Sequence, residues 1–276
     1  MKFDLDTAWK DTTRLVRDNF GLLAIIAGLF YFLPWFAASL WVPGLAEITG
    51  GQFDPNNPAM EAMANELVYG YWWALLLVGL IQGIGFIAML ALLRRRASPT
   101  VAEAIQIGAK SVLSYLAASL LTGLIIGLVI ILLVSLPAAL GATALAVVGG
   151  ILALVVSLYL FTKFSLASPV IAIEGVLNPI TALGRSWKLS KGSSIRLFFF
   201  YALLIIAYAV ISMLVGFVFS LIFALGGAEA QDFGTAFSSS LMNAVFAVLF
   251  AGVLAAILMQ LSRLRDNTAA APPPEG

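Results

Sequence analysis

The sequence predicts an all-α fold: a polytopic membrane helix bundle of six transmembrane helices with cytoplasmic-side amphipathic surface helices. Three observations carry this. Of 276 residues, 62% are apolar and only 11% charged, against about 25% charged in a soluble domain. Six apolar runs free of Asp, Glu, Lys and Arg each reach the length of about 20 residues that crosses a hydrocarbon core. With those six runs as spans, every Lys and Arg falls on the same side.

The predicted spans are Phe20–Trp41, Val68–Leu93, Val112–Leu136, Thr143–Thr162, Leu197–Leu225 and Phe237–Leu261. The apolar stretch from Val112 to Thr162 is too long for one crossing. Ser135-Leu136-Pro137 and Gly141 mark its break, because Pro removes a backbone donor and Gly favours a turn. The fifth span is long enough to require tilt or a projecting end. Residues 1–265 form one membrane domain, and the tail 266–276, with Pro272-Pro273-Pro274, is expected to be disordered.

Orientation follows from charge, since Lys and Arg accumulate on the cytoplasmic side. The side holding all basic residues also holds both termini, and the opposite loops carry only Glu47, Asp54, Glu61, Glu66, Glu229 and Asp232. Trp35, Trp41, Trp72 and Trp73 fall near the outer ends of the first two spans, where amphipathic rings prefer to sit. The first apolar run follows Asp4, Asp6, Asp11 and Asp18 rather than a short basic start. The N terminus is therefore expected to be retained.

Three segments read as helices along the inner surface. In the first, Leu5, Trp9, Thr12, Val16 and Phe20 recur at helical spacing. The second opens at Pro99-Thr100, with Glu103 at capping-box spacing and Val101, Ile105 and Gly108 on its apolar side. The third opens at Asn178-Pro179, a cap followed by Pro in the first helical position. Its Ile180, Leu183 and Trp187 point one way and Arg185 and Lys188 another. Such helices bury one face at the headgroup boundary. The order, surface helix then two-span hairpin, recurs three times as an organising idea, with low residue identity between units.

The segment Ser168-Pro169-Val170-Ile171-Ala172-Ile173-Glu174-Gly175, continuing through Ala182-Leu183-Gly184-Arg185-Ser186-Trp187-Lys188-Leu189 and Lys191-Gly192, resembles a pattern in bacterial YciC-like inner-membrane proteins. It is similar also to the membrane domain joined to some glycerophosphodiester phosphodiesterases. The close match spans roughly Ser165 to Phe200, with Gly184 where a second Arg is common. The resemblance implies a bacterial plasma (inner) membrane and supplies no catalytic residues. No region could form the soluble phosphodiesterase barrel, so that activity is not carried over.

Composition narrows the chemistry. With no Cys and no His, disulfides, thiolate nucleophiles, imidazole bases and their metal sites are excluded. No predicted span holds a carboxylate or a Lys, so no catalytic residue, metal ligand or cofactor is expected, and the chain is expected not to be an enzyme. Coupled carriers usually place ionisable groups in the membrane interior. The preferred expectation is thus a non-enzymatic scaffold or lipid-interacting protein; the alternative is a transporter or lipid-translocating protein, with broken helices at Pro34 or Ser168-Pro169. A polar cavity at mid-membrane depth marks the second, and solid packing marks a scaffold. Expected partners are membrane lipids, including anionic ones, and an unidentified protein; a net charge of +1 gives no reason for nucleic acid.

The candidate residues follow. Arg94, Arg95, Arg96, Arg185, Lys188, Lys191 and Arg196 serve either as topology determinants or as an anionic-lipid surface acting through summed charge, about 1 kcal/mol each. Glu174 pairs with an Arg, caps the next helix, or contacts a cation or headgroup. Gln82 and Asn243, the strongest polar groups within the spans, hydrogen-bond between helices or line a substrate site. Gly79 and Gly83, like Gly123 and Gly127, have the spacing of close helix packing.

Overall fold

The computed structural model describes residues 3–45, 57–94 and 99–269, with side chains described to Arg265. Those residues are helical, with no strand among them. Six helices are long and apolar enough to cross a membrane: Phe20–Trp41, Trp72–Leu92, Val101–Ala139, Thr143–Glu174, Ser194–Gly226 and Ala228–Arg265. Of the tail expected to be disordered, residues 266–269 instead continue the last helix, and 270–276 lie outside the described residues.

The order is α1 (Leu5–Asp18), α2 (Phe20–Trp41), α3 (Pro58–Gly70), α4 (Trp72–Leu92), α5 (Val101–Ala139), α6 (Thr143–Phe164), α7 (Ala167–Glu174), α8 (Pro179–Ser190), α9 (Ser194–Phe223) and α10 (Ala228–Ala269). Four of the starts carry a side-chain cap. The Asp4 carboxylate accepts from the Thr7 N–H at 2.9 Å, and the Thr7 hydroxyl and N–H hold that carboxyl below its usual range. Thr100 and Glu103 close a full capping box at α5. Asn178 caps α8 through the Thr181 N–H at 3.1 Å, with Pro179 in first position. The Asn57-Pro58 pair begins α3 in the same way. That helix was not expected.

Two proline sites differ from expectation. Pro137 does not end its helix: a π turn at Ile131–Ser135 precedes it, and α5 continues to Ala139 before turning at Gly141, φ 74°. A second π turn, Gly28–Phe32, precedes Pro34 in α2. A wider turn rearranges the bonding around a missing donor, so neither Pro breaks its span. Likewise the segment expected as a second surface helix is the first part of α5 itself. At 39 residues α5 is about 58 Å long, well beyond the roughly 30 Å core, and it packs on α4 from its start. A Cβ on Gly108 would lie 2.5 Å from the Ile84 carbonyl.

Helices α4 and α10 form the axis. In their most apolar stretches 56% and 61% of residues are buried, against 6–17% in the other four spans. The main core gathers at one end, from Phe86–Leu93 of α4, Ala244–Leu261 of α10, Leu23 and Ile26 of α2, and α7. The described basic residues share that end, where Arg94 reaches α7, Arg196 reaches Phe3 and Arg265 reaches α8. At the other end Trp41 packs edge-on against Tyr71 and Trp73, with ring centroids 6.0 and 5.5 Å apart.

The faces that pack coincide only in part with the apolar stripes. In α1 the buried residues are Ala8 and Thr12, with Val16 packed on the core, while Leu5 and Trp9 of the expected stripe, like Phe20 at the start of α2, are exposed. In α8 they are Ala182, Leu183, Ser186, Leu189 and Ser190, while Ile180 is 71% exposed. Small residues let backbones approach, and large apolar ones lose nothing by facing lipid. Gly83 meets Tyr115, but Gly79, Gly123 and Gly127 have nothing within 4 Å of a built Cβ. The Gly123/Gly127 pair therefore packs against no helix here.

Candidate functional site

The segment carrying the family resemblance builds a compact joint at the basic end. Helix α7 is buried from Ala167 to Ala172 and ends at Gly175, φ 75°, a left-handed cap that suits Gly. The Arg94 Nε donates to the Ile173 carbonyl at 2.7 Å, placing a cation at the helix C terminus, where the dipole favours it. Arg185 grips Glu174 in a fork, Nη2 to Oε1 at 3.0 Å and Nε to Oε2. Of the readings for Glu174, the ion pair is the one formed, and Asn178 supplies the next helix's cap. The Arg185 side chain is 49% exposed, so the pair contributes no more than about 1 kcal/mol.

Ser186 is fully buried and closes the joint. Its hydroxyl donates to the Lys163 carbonyl at 2.7 Å and accepts from the Leu166 N–H at 3.1 Å. It thereby satisfies two groups freed where α6 stops and α7 begins. Ser165 bonds the Tyr201 hydroxyl at 2.9 Å and ties the joint to α9.

The expected basic surface is therefore divided among separate tasks. Arg94 and Arg185 hold α7, and the Arg196 Nη1 donates to the Phe3 carbonyl at 2.7 Å, tethering the chain ahead of α1. Lys188 and Lys191 make no side-chain hydrogen bond or ion pair among the described residues. Arg95 and Arg96 lie outside the described residues.

A second feature lies in the spans. Between α9 and α10 runs a groove of about 870 Å³ lined by Trp35, Tyr208, Ser212, Ser220, Ser239 and Asn243 among others. Aromatic contacts bound it at both ends: Tyr208 on Phe246 at 4.5 Å toward the basic end, and Phe219 on Phe237 at 5.7 Å toward the other. Met213 and Phe217, on its rim, are 79% and 61% exposed, so it opens sideways.

The amide expectation is corrected here. The Asn243 Nδ2 and Gln82 Nε2 are buried and have no hydrogen-bond partner, so neither amide nitrogen ties two helices. Asn243 lines the groove, with its Nδ2 buried away from the open space. The Ser238, Ser239 and Thr235 hydroxyls donate to carbonyls of their own helix, leaving oxygen lone pairs toward the space. The sequence hinted at this only through the Ser238-Ser239-Ser240 run before Asn243.

Lys163 was passed over in the sequence because it falls one residue beyond the predicted fourth span. It is 4% exposed, with its ammonium 5.2 Å from the Trp187 ring centroid and 5.5 Å from that of Tyr159. No group of three or more potential metal ligands occurs among the described residues. No family model, no curated protein and no solved structure matches the chain.

Proposed function

We propose that this chain is a non-enzymatic integral membrane protein that binds lipid laterally, in a bacterial plasma membrane and with both termini cytoplasmic. The observation that carries this reading is the side-opening groove between α9 and α10, lined by Asn243 and by the hydroxyls of Ser212, Ser220 and Ser239. Its volume falls within the roughly 300–1,000 Å³ of small-molecule sites. The groove has no charged lining residue, which suits the glycerol and acyl region of a lipid. The likeness to YciC-like proteins is part of the same proposal.

The test is to fill the groove. Gly216 lines it, and a Cβ there meets nothing within 4 Å, so Gly216→Leu should occupy space without displacing a helix. The expected result is a variant that folds and loses at least one lipid retained by the wild type in native mass spectrometry. Identical lipid retention would overturn the reading. Lipid translocation is the second reading, favoured by the polar lining lying within the span region. It predicts that the protein in vesicles speeds lipid exchange between leaflets and that Gly216→Leu slows it.

A further inference from the structure

We propose that Lys163, held between Trp187 and Tyr159, is the centre of a binding site for a phosphate group, carried on a lipid headgroup or free in solution. The site is separate from the groove and does not depend on it.

The reasoning begins with an unbalanced charge. Lys163 has its stem buried, and its ammonium donates to no acceptor among the described residues. Two aromatic faces within about 6 Å give partial compensation. A buried cation normally also has a carboxylate. The acid closest along the joint, Glu174, is occupied by Arg185. The other acids of this end with described side chains lie at α1 and in the α5 capping box, where Asp4 caps α1, Asp6 holds Lys10, Asp11 holds Arg14 and Glu103 holds the Thr100 N–H.

The neighbourhood adds positive charge. Lys191, exposed at the end of α8, is a second cation of this segment. Neither ammonium pairs with an acid among the described residues, which favours an anion from outside. The position is also fixed, because Ser186 binds the Lys163 carbonyl and Trp187 follows it directly in α8. The same short segment therefore positions the cation and supplies a wall of the site. Trp187 and Tyr159 are 37% and 46% exposed, so the site is reached from the bilayer edge. A phosphate there would accept the free donors of Lys163 and Lys191 as charge-assisted bonds.

The bland alternative is a lysine that merely reaches toward water from a helix end. Native mass spectrometry separates the two, with phosphatidic acid, phosphatidylglycerol and phosphatidylcholine each titrated into purified full-length protein. The wild type should prefer both anionic lipids to phosphatidylcholine. Lys163→Gln should lower that preference about tenfold, the size of one charge-assisted contact. Lys163→Arg should keep most of it, and Lys110→Gln, an exposed lysine of the same end, should change it less than twofold. Exposed Lys191→Gln serves as the second variant, should Lys163→Gln fold poorly, and should give a smaller loss than Lys163→Gln but a larger one than Lys110→Gln. Displacement of bound lipid by inorganic phosphate would identify free phosphate as the ligand, and resistance would identify the headgroup. Equal losses in the variants of Lys163, Lys191 and Lys110, or no anionic preference in the wild type, would overturn the proposal. Gly216→Leu should leave this preference unchanged, so failure here is distinguishable from failure of the groove reading.

Discussion

Single side chains at the α6–α7–α8 joint do more structural work than their hydropathy suggests. Ser186 satisfies a carbonyl on one side of the helix break and an amide on the other, both away from water. Losing it strands two buried groups, at about 1–3 kcal/mol each when unmet. Ser186→Ala is therefore expected to lower the thermal stability of the purified protein by several degrees. Ser193→Ala, three residues past the end of α8 and without a side-chain cap bond, is expected to leave it unchanged. Equal melting temperatures for Ser186→Ala and wild type would show that the bridge does not stabilise the joint. In the sequence, Arg185-Ser186-Trp187 stands out as a motif and Glu174 is recognisable as an ion-pair candidate. The role of Ser186 is not legible there, because it depends on a helix break twenty residues earlier. Lys163 was missed for a related reason: a charge at a span boundary looks like an orientation signal until the rings around it are placed.

Among the elements, the spans were readable because length and the absence of charge suffice to find them. What faces what was not. Hydrophobic periodicity selects the face that avoids water, and in a bilayer that face meets lipid as readily as protein. Leu5, Trp9 and Ile180 thus point outward while Ala8, Thr12 and Ser186 point in. Glycine spacing misled for the same reason, and the α5–α6 hairpin shows where a glycine matters. A Cβ on Gly149 would run into the Leu133 carbonyl, inside the π turn of α5, whereas one on Gly150 would meet nothing within 4 Å. Gly149→Val should push the two helices apart at a cost of about 1–3 kcal/mol or more, and Gly150→Val should be tolerated. Melting curves of the two variants in one detergent check this. Comparable destabilisation by both would mean that the close crossing does not hold the hairpin.

At the scale of the whole molecule, packing and charge are distributed unevenly along the bundle. The basic end holds the main core, the α7 joint and the tether from Arg196 to Phe3, while the middle of α9 leaves the groove beside α10 and its outer end returns to α10 through Phe219 and Phe223. Arg94, Arg185 and Arg196, basic residues on which the expected orientation rests, also hold helix ends together here. The orientation itself gives the last prediction. Six crossings place the chain's end beyond α10 and the loop between α2 and α3 on opposite sides. All basic residues accompany the former, and Glu47 and Asp54 the latter. A reporter fused after Asp266 should therefore be active as a cytoplasmic fusion. One inserted within Gly50–Asn57 should be active only as an exported one. The same signal from both positions would require an even number of crossings between them instead of five, and would dismantle the six-span topology together with the placement of Lys163 at the cytoplasmic surface.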